Sequence, residues 1–220
     1  MMRTKLGSLA IGVISLVAAS TVRVDGETTT QTRATQPLAK ELLQPVSSFD
    51  KIADGRTRSI ALFTEAGKVL QHPRCMNCHP ATERPTQTDR MRPHQPLVVR
   101  GADGHGAAGM PCMACHHAGN FDAGHIPGHR DWHLAPATMA WQDRSLAQVC
   151  SQIKDRARNG GRDLVALIHH VSEDSLVGWA WSPGAGRTPA PGTQAQFGEL
   201  MKAWATTGAF CPLVAAGPPQ

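Results

Sequence analysis

Apolar residues recur at helical spacing in four parts of the chain, and they predict four helices. Within each set the residues are three or four positions apart or adjacent, so each set covers one face of a helix. The sets are Ile60, Phe63, Gly67 and Leu70; Leu146, Val149, Cys150 and Ile153; Leu164, Leu167, Ile168 and Val171; and Phe197, Leu200, Met201 and Trp204. No segment alternates convincingly between apolar and polar residues. The pattern predicts a mostly α fold with long irregular loops.

Polar residues and glycines mark where these helices begin and end. Ser145 and Asp163 are residue types that cap helix N-termini, and Thr193 with Gln196 resembles a capping box. An Asn-Gly-Gly sequence at residues 159–161 predicts the end of the second helix, because glycine readily adopts the conformation that stops a helix.

The region between the first and second helices shows almost no periodicity. We expect loops with short turns over residues 71–140, which carry nine of the eleven histidines. A further short helical segment is expected over residues 176–181. A loop region of this length without a core of its own needs something else to organise it.

Composition agrees with a loop-rich chain. The 220 residues include 21 Gly and 16 Pro, while five Trp, five Phe and no Tyr supply all the aromatic packing. The apolar core therefore looks thin for this length. The eleven His and six Cys stand out against this background, and they are where the chemistry is expected.

The first twenty residues have the pattern of a secretory signal peptide. Two basic residues precede an uncharged run over residues 6–19, which ends in small residues. A membrane anchor is the alternative, but crossing a bilayer takes about 20 apolar residues, and Arg23 and Asp25 follow too soon. We expect cleavage, no stable membrane span and a periplasmic or secreted protein.

The mature chain is expected to have a flexible lead-in over residues 21–50 and one domain over residues 51–215. The lead-in is rich in Thr, Gln and Pro and has few large apolar residues. Loss of Arg3 and Lys5 with the signal peptide lowers the formal charge from +5 to +3. A charge so weak and dispersed argues against nucleic-acid binding.

Two copies of the pattern C-x-x-C-H carry the clearest chemical signal. They are Cys75, Cys78 and His79, and, 37 positions later, Cys112, Cys115 and His116. This pattern is the attachment signature of c-type haem. Two thiols at this spacing each add to one vinyl group of the porphyrin, and the following histidine supplies the proximal nitrogen to iron. The sequence predicts two covalently attached haems.

Two other readings of these cysteines are weaker. A structural zinc site could use Cys75, Cys78, Cys112 and Cys115, but it would leave both following histidines unexplained. A thioredoxin-like redox pair lacks the βαβ pattern that would surround it. The remaining cysteines, Cys150 and Cys211, are an even remainder in an exported protein, which favours one disulfide.

Each iron has a sixth position, and we expect His94 and His170 to fill these two distal positions. His94 lies between the two motifs in a proline-containing loop, and helix geometry places His170 at the border of the buried face of its helix. His169 should point outward. The alternative distal ligands are His72, His133 and Met139.

Three strings in the chain resemble a group of small exported bacterial dihaem proteins, some of which carry the label "isoquinoline 1-oxidoreductase subunit". The strings are HPRCMNCHP at residues 72–80, GMPCMACH at 109–116 and NGGR at 159–162. The resemblance covers about residues 58–213 and implies a c-type cytochrome. The chain lacks the iron–sulfur cysteine patterns of a molybdenum hydroxylase, so the resemblance implies at most an electron-accepting partner of such an enzyme.

These observations lead to an expected function in electron transfer and not in catalysis. The protein would pass single electrons between a redox enzyme or quinol-linked donor and an acceptor, with other redox proteins as its partners. The alternative is a dihaem peroxidase with one open iron site. A haem-based gas sensor is a third possibility.

Overall fold

The computed structural model of the protein describes residues 41–213. The predicted signal peptide, residues 21–40 of the predicted lead-in and residues 214–215 of the expected domain lie outside this range. The described chain is mostly helical with long loops and little sheet, as the sequence predicts. Its α-helices are α1 (Gly55–Leu70), α2 (Pro73–Met76), α3 (Leu146–Lys154), α4 (Leu164–Glu173), α5 (Ser175–Gly178) and α6 (Gln194–Thr206).

The predicted N-terminal caps of three helices are confirmed. Ser145 and Gln148 form a reciprocal capping box at the start of α3, and Thr193 and Gln196 form one at the start of α6. The side chain of Asp163 accepts a backbone hydrogen bond in the first turn of α4. These side chains satisfy backbone N–H groups that have no partner within the helix.

Helix α3 ends at Lys154, earlier than the glycine pair at residues 160–161 indicated. The next residue, Asp155, has an extended backbone, and its carboxylate accepts the N–H of Ala157 at 3.0 Å. An aspartate side chain that binds the backbone two residues on favours a turn over a further helical turn. The chain then turns through residues 155–161 before α4.

The helical core forms where α6 packs against both α1 and α4. Phe63, Leu200, Met201 and Trp204 of the predicted apolar faces are fully buried there. The rings of Phe63 and Trp204 lie 4.9 Å apart at 47°, a tilted arrangement that aromatic pairs favour. The helical faces predicted from the sequence therefore supply the core.

The packed part of the chain begins before residue 51. Leu43 and Phe49 are buried in the core, and a 3-10 helix spans Val46–Phe49. The backbone N–H of Gln44 donates to Glu65 of α1 at 2.9 Å. Burial of two large apolar side chains gives this part of the predicted lead-in an ordered place on the domain.

The predicted disulfide between Cys150 and Cys211 is present. It joins α3 to the segment that follows α6, with the two Cα atoms 5.6 Å apart. The same segment is held by other contacts, because the indole N–H of Trp204 donates to the Phe210 carbonyl at 3.0 Å and Lys154 donates to the Ala209 carbonyl at 2.7 Å.

The region between α2 and α3 consists of loops, short 3-10 turns and two small antiparallel hairpins. Strand β1 (Thr86–Gln87) pairs with β2 (Arg92–Pro93), and β3 (Gly106–Ala107) pairs with β4 (Met110–Pro111). Strands of two residues are too short to give an alternating pattern in the sequence. Within the described residues, no helix is both long and apolar enough to cross a membrane.

Candidate functional site

The first C-x-x-C-H motif lines an apolar cavity. Helix α1 ends at Leu70, and Pro73 begins the short helix α2, which carries Cys75. The backbone N–H of His79 bonds to the Cys75 carbonyl at 3.1 Å, so the motif is one compact turn. Cys75, Cys78 and His79 all line the cavity, whose volume is about 170 Å³.

His79 is held by one hydrogen bond and one stacking contact. Its Nδ1 donates to the Met139 carbonyl at 2.7 Å, and its ring lies on Trp141 with centroids 3.5 Å apart and planes 6° apart. A hydrogen bond at Nδ1 fixes the ring and leaves Nε2 for a metal ion, as is usual for metal-binding histidines. Burial lowers the pKa of His79 to about 4, so the ring is neutral at pH 7.

The two thiols of the first motif are unpaired and half-buried. Burial is the main cause that raises the pKa of Cys75 to about 12 and that of Cys78 to about 11. Both groups are therefore neutral thiols at pH 7, and no disulfide occupies them.

His170 of α4 lines the same cavity as His79. Its Nδ1 lies 3.2 Å from a carboxylate oxygen of Asp174, so this ring too has a fixed orientation and a free Nε2. His133, another candidate ligand, also lines the cavity, with its Nδ1 2.6 Å from the Asp131 carbonyl. The neighbouring His169 is exposed and pairs with Glu173, as helix geometry predicts.

The cavity wall also carries buried polar groups. Arg74 is 4% exposed and forms an ion pair with Asp89, while its Nε has no hydrogen-bond partner among the described residues. The indole nitrogen of Trp141 is likewise buried without a partner there. Arg162 adds a second guanidinium. A buried cation of this kind is a suitable partner for a carboxylate on a bound group.

The second motif repeats the arrangement around its histidine. Nδ1 of His116 donates to the Pro127 carbonyl at 2.7 Å, and the ring stacks on Trp132 with centroids 4.5 Å apart and planes 10° apart. Burial lowers the pKa of His116. The loop that carries Pro127 passes so close to the motif that a Cβ at Gly128 would lie 2.5 Å from the His117 carbonyl.

The second motif is more open to solvent than the first. Cys112 begins a 3-10 helix and is half-buried, and Cys115 is exposed. His94 lies beside this motif, with its ring centroid 5.8 Å from that of His116. Its Nδ1 donates to the Pro96 carbonyl at 3.0 Å, which leaves Nε2 free.

The other candidate ligands have different places. His72 caps α2, and its Nδ1 accepts the backbone N–H of Arg74 at 3.2 Å. Met139 is buried in the cavity wall, on the segment whose carbonyl holds His79. Met139 therefore belongs to the part of the site that supports His79, the expected proximal ligand.

Sequence reasoning missed the groups that hold the two motif histidines. These are the carbonyls of Met139 and Pro127 and the indole rings of Trp141 and Trp132. Trp141 lies 62 residues after His79, whereas Trp132 lies only 16 residues after His116. The offsets differ, so no common spacing marks them in the sequence.

Comparison with protein-family models, curated proteins and solved structures finds no match to this chain. Within the described residues, no group of three or more His, Cys, Asp or Glu side chains is arranged to hold a metal ion by itself. The four cysteines of the zinc alternative are not gathered in this way.

The residues at both motifs fit a covalently attached haem. Each motif offers two unpaired thiols and a histidine whose Nδ1 is occupied. The first also offers an apolar cavity with a buried guanidinium in its wall. These are the groups that thioether attachment, axial ligation and propionate binding require.

Proposed function

We propose that this protein is a dihaem c-type cytochrome that transfers single electrons. Cys75, Cys78 and His79 would hold one haem, and Cys112, Cys115 and His116 the other. The protein would act in the periplasm or outside the cell, between a redox enzyme or quinol-linked donor and an acceptor. When bound, the haem irons supply the one-electron chemistry.

One observation carries the proposal. The two thiols of the first motif, a proximal histidine with a free Nε2 and a second oriented histidine, His170, all line one apolar cavity. A metal-binding thiol cluster would need its donors gathered around a point, whereas a porphyrin needs a flat apolar space between two histidines.

The distal ligands belong to the same proposal. His170 would complete the first site, because the Asp174 carboxylate orients its ring in the cavity. His94 would complete the second site, because its ring is the neighbour of His116. Two imidazole ligands on each iron would describe an electron carrier, because neither iron would keep an open position for a substrate.

The test is the number of haems per chain in the full-length protein exported from a host that attaches haem to cytochromes. We expect two haems in the unmodified chain. Cys75→Ala/Cys78→Ala and Cys112→Ala/Cys115→Ala should each retain one. The matched control is Cys150→Ala/Cys211→Ala, which changes the disulfide pair and should retain two. A chain with no attached haem would refute the proposal.

Axial ligation is tested by magnetic circular dichroism and paramagnetic resonance of the same protein. We expect two low-spin signals with two histidine ligands each. His170→Ala should make one haem high-spin, while the exposed control His169→Ala should not. His133→Ala tests the other histidine of the cavity. A high-spin signal in the unmodified protein with peroxide turnover would favour the peroxidase, and carbon monoxide binding would favour a gas sensor.

A further inference from the structure

A series of aromatic contacts leads from the second motif to the cavity of the first. His116 of the second motif stacks on Trp132, as described above. Trp132 in turn meets Trp179 edge to face, with centroids 4.9 Å apart and planes 88° apart. Trp179 lines the cavity that also holds Cys78 and His79. Two indole rings therefore span the space between the second motif and the cavity of the first.

Hydrogen bonds to the loop beside the second motif hold Trp179 in place. Its indole N–H donates to the side-chain oxygen of Asn120 at 2.9 Å. The same oxygen accepts the backbone N–H of Gly128 at 3.0 Å, next to the carbonyl of Pro127 that holds His116. The Asn120 amide also donates to the Ser182 carbonyl at 3.2 Å. One side chain thus ties Trp179 to the loop that orients the second histidine.

We propose that Trp132 and Trp179 are the route by which an electron passes between the two haem sites. This inference rests on the proposed function. In the step, an iron held at one motif would be oxidised by one electron, and an iron held at the other would be reduced by one. No bond is formed or broken, and no proton moves. Ordered aromatic rings suit this role because their π-systems fill the gap with closely packed, polarizable groups.

A second connection between the motifs follows the backbone. The Cys112 thiol contacts the Gly104 carbonyl at 3.8 Å, which accepts the N–H of Leu134 at 2.9 Å. The next residue, Ala135, donates its N–H to the Cys78 carbonyl at 3.0 Å. This backbone connection is untouched by changes to the two indole rings, so the two routes can be separated by mutation.

The experiment compares Trp132→Leu and Trp179→Leu with the matched control Trp181→Leu. Trp181 is two residues from Trp179, but it bonds to the Pro191 carbonyl and packs on Phe197, away from this contact. Electron redistribution between the haems is followed after pulse reduction by less than one equivalent. We expect both test variants to lose the fast redistribution phase that the unmodified protein and the control retain.

Two further readouts exclude indirect effects. Haem content and axial-ligand spectra should be unchanged in Trp179→Leu and in the control. Trp132→Leu also removes the ring on which His116 stacks, so Trp179→Leu is the decisive variant. Circular dichroism should contain an exciton signal from the perpendicular Trp132 and Trp179 pair, which either leucine variant loses and the control keeps. This signal reports the contact itself and needs no electron transfer.

The outcomes separate this inference from the proposed function. Fewer than two haems in the unmodified chain would contradict the proposed function. Two haems with an unchanged fast phase in both test variants would overturn the aromatic route and leave the backbone connection. If a leucine variant does not retain two haems, Trp132→Phe and Trp179→Phe decide the matter, because a smaller ring widens the contact. An unchanged fast phase in both phenylalanine variants would also overturn it.

Discussion

Removal of the disulfide between Cys150 and Cys211 is expected to cost a large part of the stability of the domain. The variant Cys150→Ala/Cys211→Ala opens a covalent loop whose ends are 61 residues apart. In the chain-entropy model, closing a loop of this length restricts the unfolded chain by about 4 kcal/mol. The total stability of a domain is about 5–15 kcal/mol, so the loss is a substantial fraction.

The folded state of this variant should change little. The segment that carries Cys211 keeps its hydrogen bonds from Trp204 and Lys154, and the Phe210 N–H still donates to the Ser59 hydroxyl at 3.0 Å. Most of the effect should therefore arise in the unfolded state, which expands when the loop is opened. We expect a lower free energy of unfolding and a steeper dependence on denaturant concentration.

The assay is guanidinium unfolding of the oxidised protein, of the same protein after dithiothreitol treatment and of the double variant. The reduced protein and the variant should agree, because both lack the same covalent link. A loss of less than about 1 kcal/mol in both would refute the loop-entropy reasoning. It would mean that noncovalent contacts hold the segment that carries Cys211 in place even in the unfolded chain.

Three further predictions test the second site, an ion pair and a helix cap. Gly128→Ala should alter the axial-ligand spectrum of the second haem, because the added Cβ would lie 2.2 Å from the Gly119 carbonyl. The control Gly109→Ala should leave this spectrum unchanged, because a Cβ there meets nothing within 4 Å. Asp89→Asn should lower the stability at pH 7 but reduce the loss of stability in acid. Burial opposes ionisation of Asp89, yet hydrogen bonds from Thr188 and the charge of Arg74 lower its pKa. The ionised carboxylate therefore contributes stability above about pH 4, and this contribution disappears as the pH falls through the lowered pKa. Urea unfolding at pH 7 and pH 3 measures this, and an equal acid loss in both proteins would contradict it. Thr193→Ala should cost about 1 kcal/mol in thermal unfolding, because it removes the capping box of α6, while Thr193→Ser should restore most of the loss.

The helical part of the fold could be predicted from the sequence because its signals are local. The stripe of Phe197, Leu200, Met201 and Trp204 lies on one helix face, and the capping residues of α6 stand within three positions of each other. The end of α3 could not be placed in this way. Two features of the sequence could end this helix, the Asp155 side chain and the glycine pair several residues later. Only the folded structure shows that the helix ends before Asp155.

The candidate site could be predicted only as far as its covalent pattern. The two motifs are visible in the sequence because both thiols and the histidine lie within five residues. The supports of His79 come from residues 139 and 141, on a segment that returns to the motif only after the loops have folded. His170 could be separated from His169 because both lie on a regular helix with known angular spacing. For His94, in an irregular loop, no such geometry was available.

The buried guanidinium of Arg100 makes the electrostatic potential at the first site more positive. Its guanidinium donates to the carbonyls of Pro80, Thr82 and Ala135, which fixes the charge near the motif, and its counter-charge is the largely exposed Glu83, 3.6 Å away. Burial is the main cause of the low pKa of His79, and the charge of Arg100 acts in the same direction. An iron bound to Nε2 of His79 would experience the same field, and loss of an electron would add positive charge there. Arg100 would therefore favour the reduced form and raise the midpoint potential of the first haem.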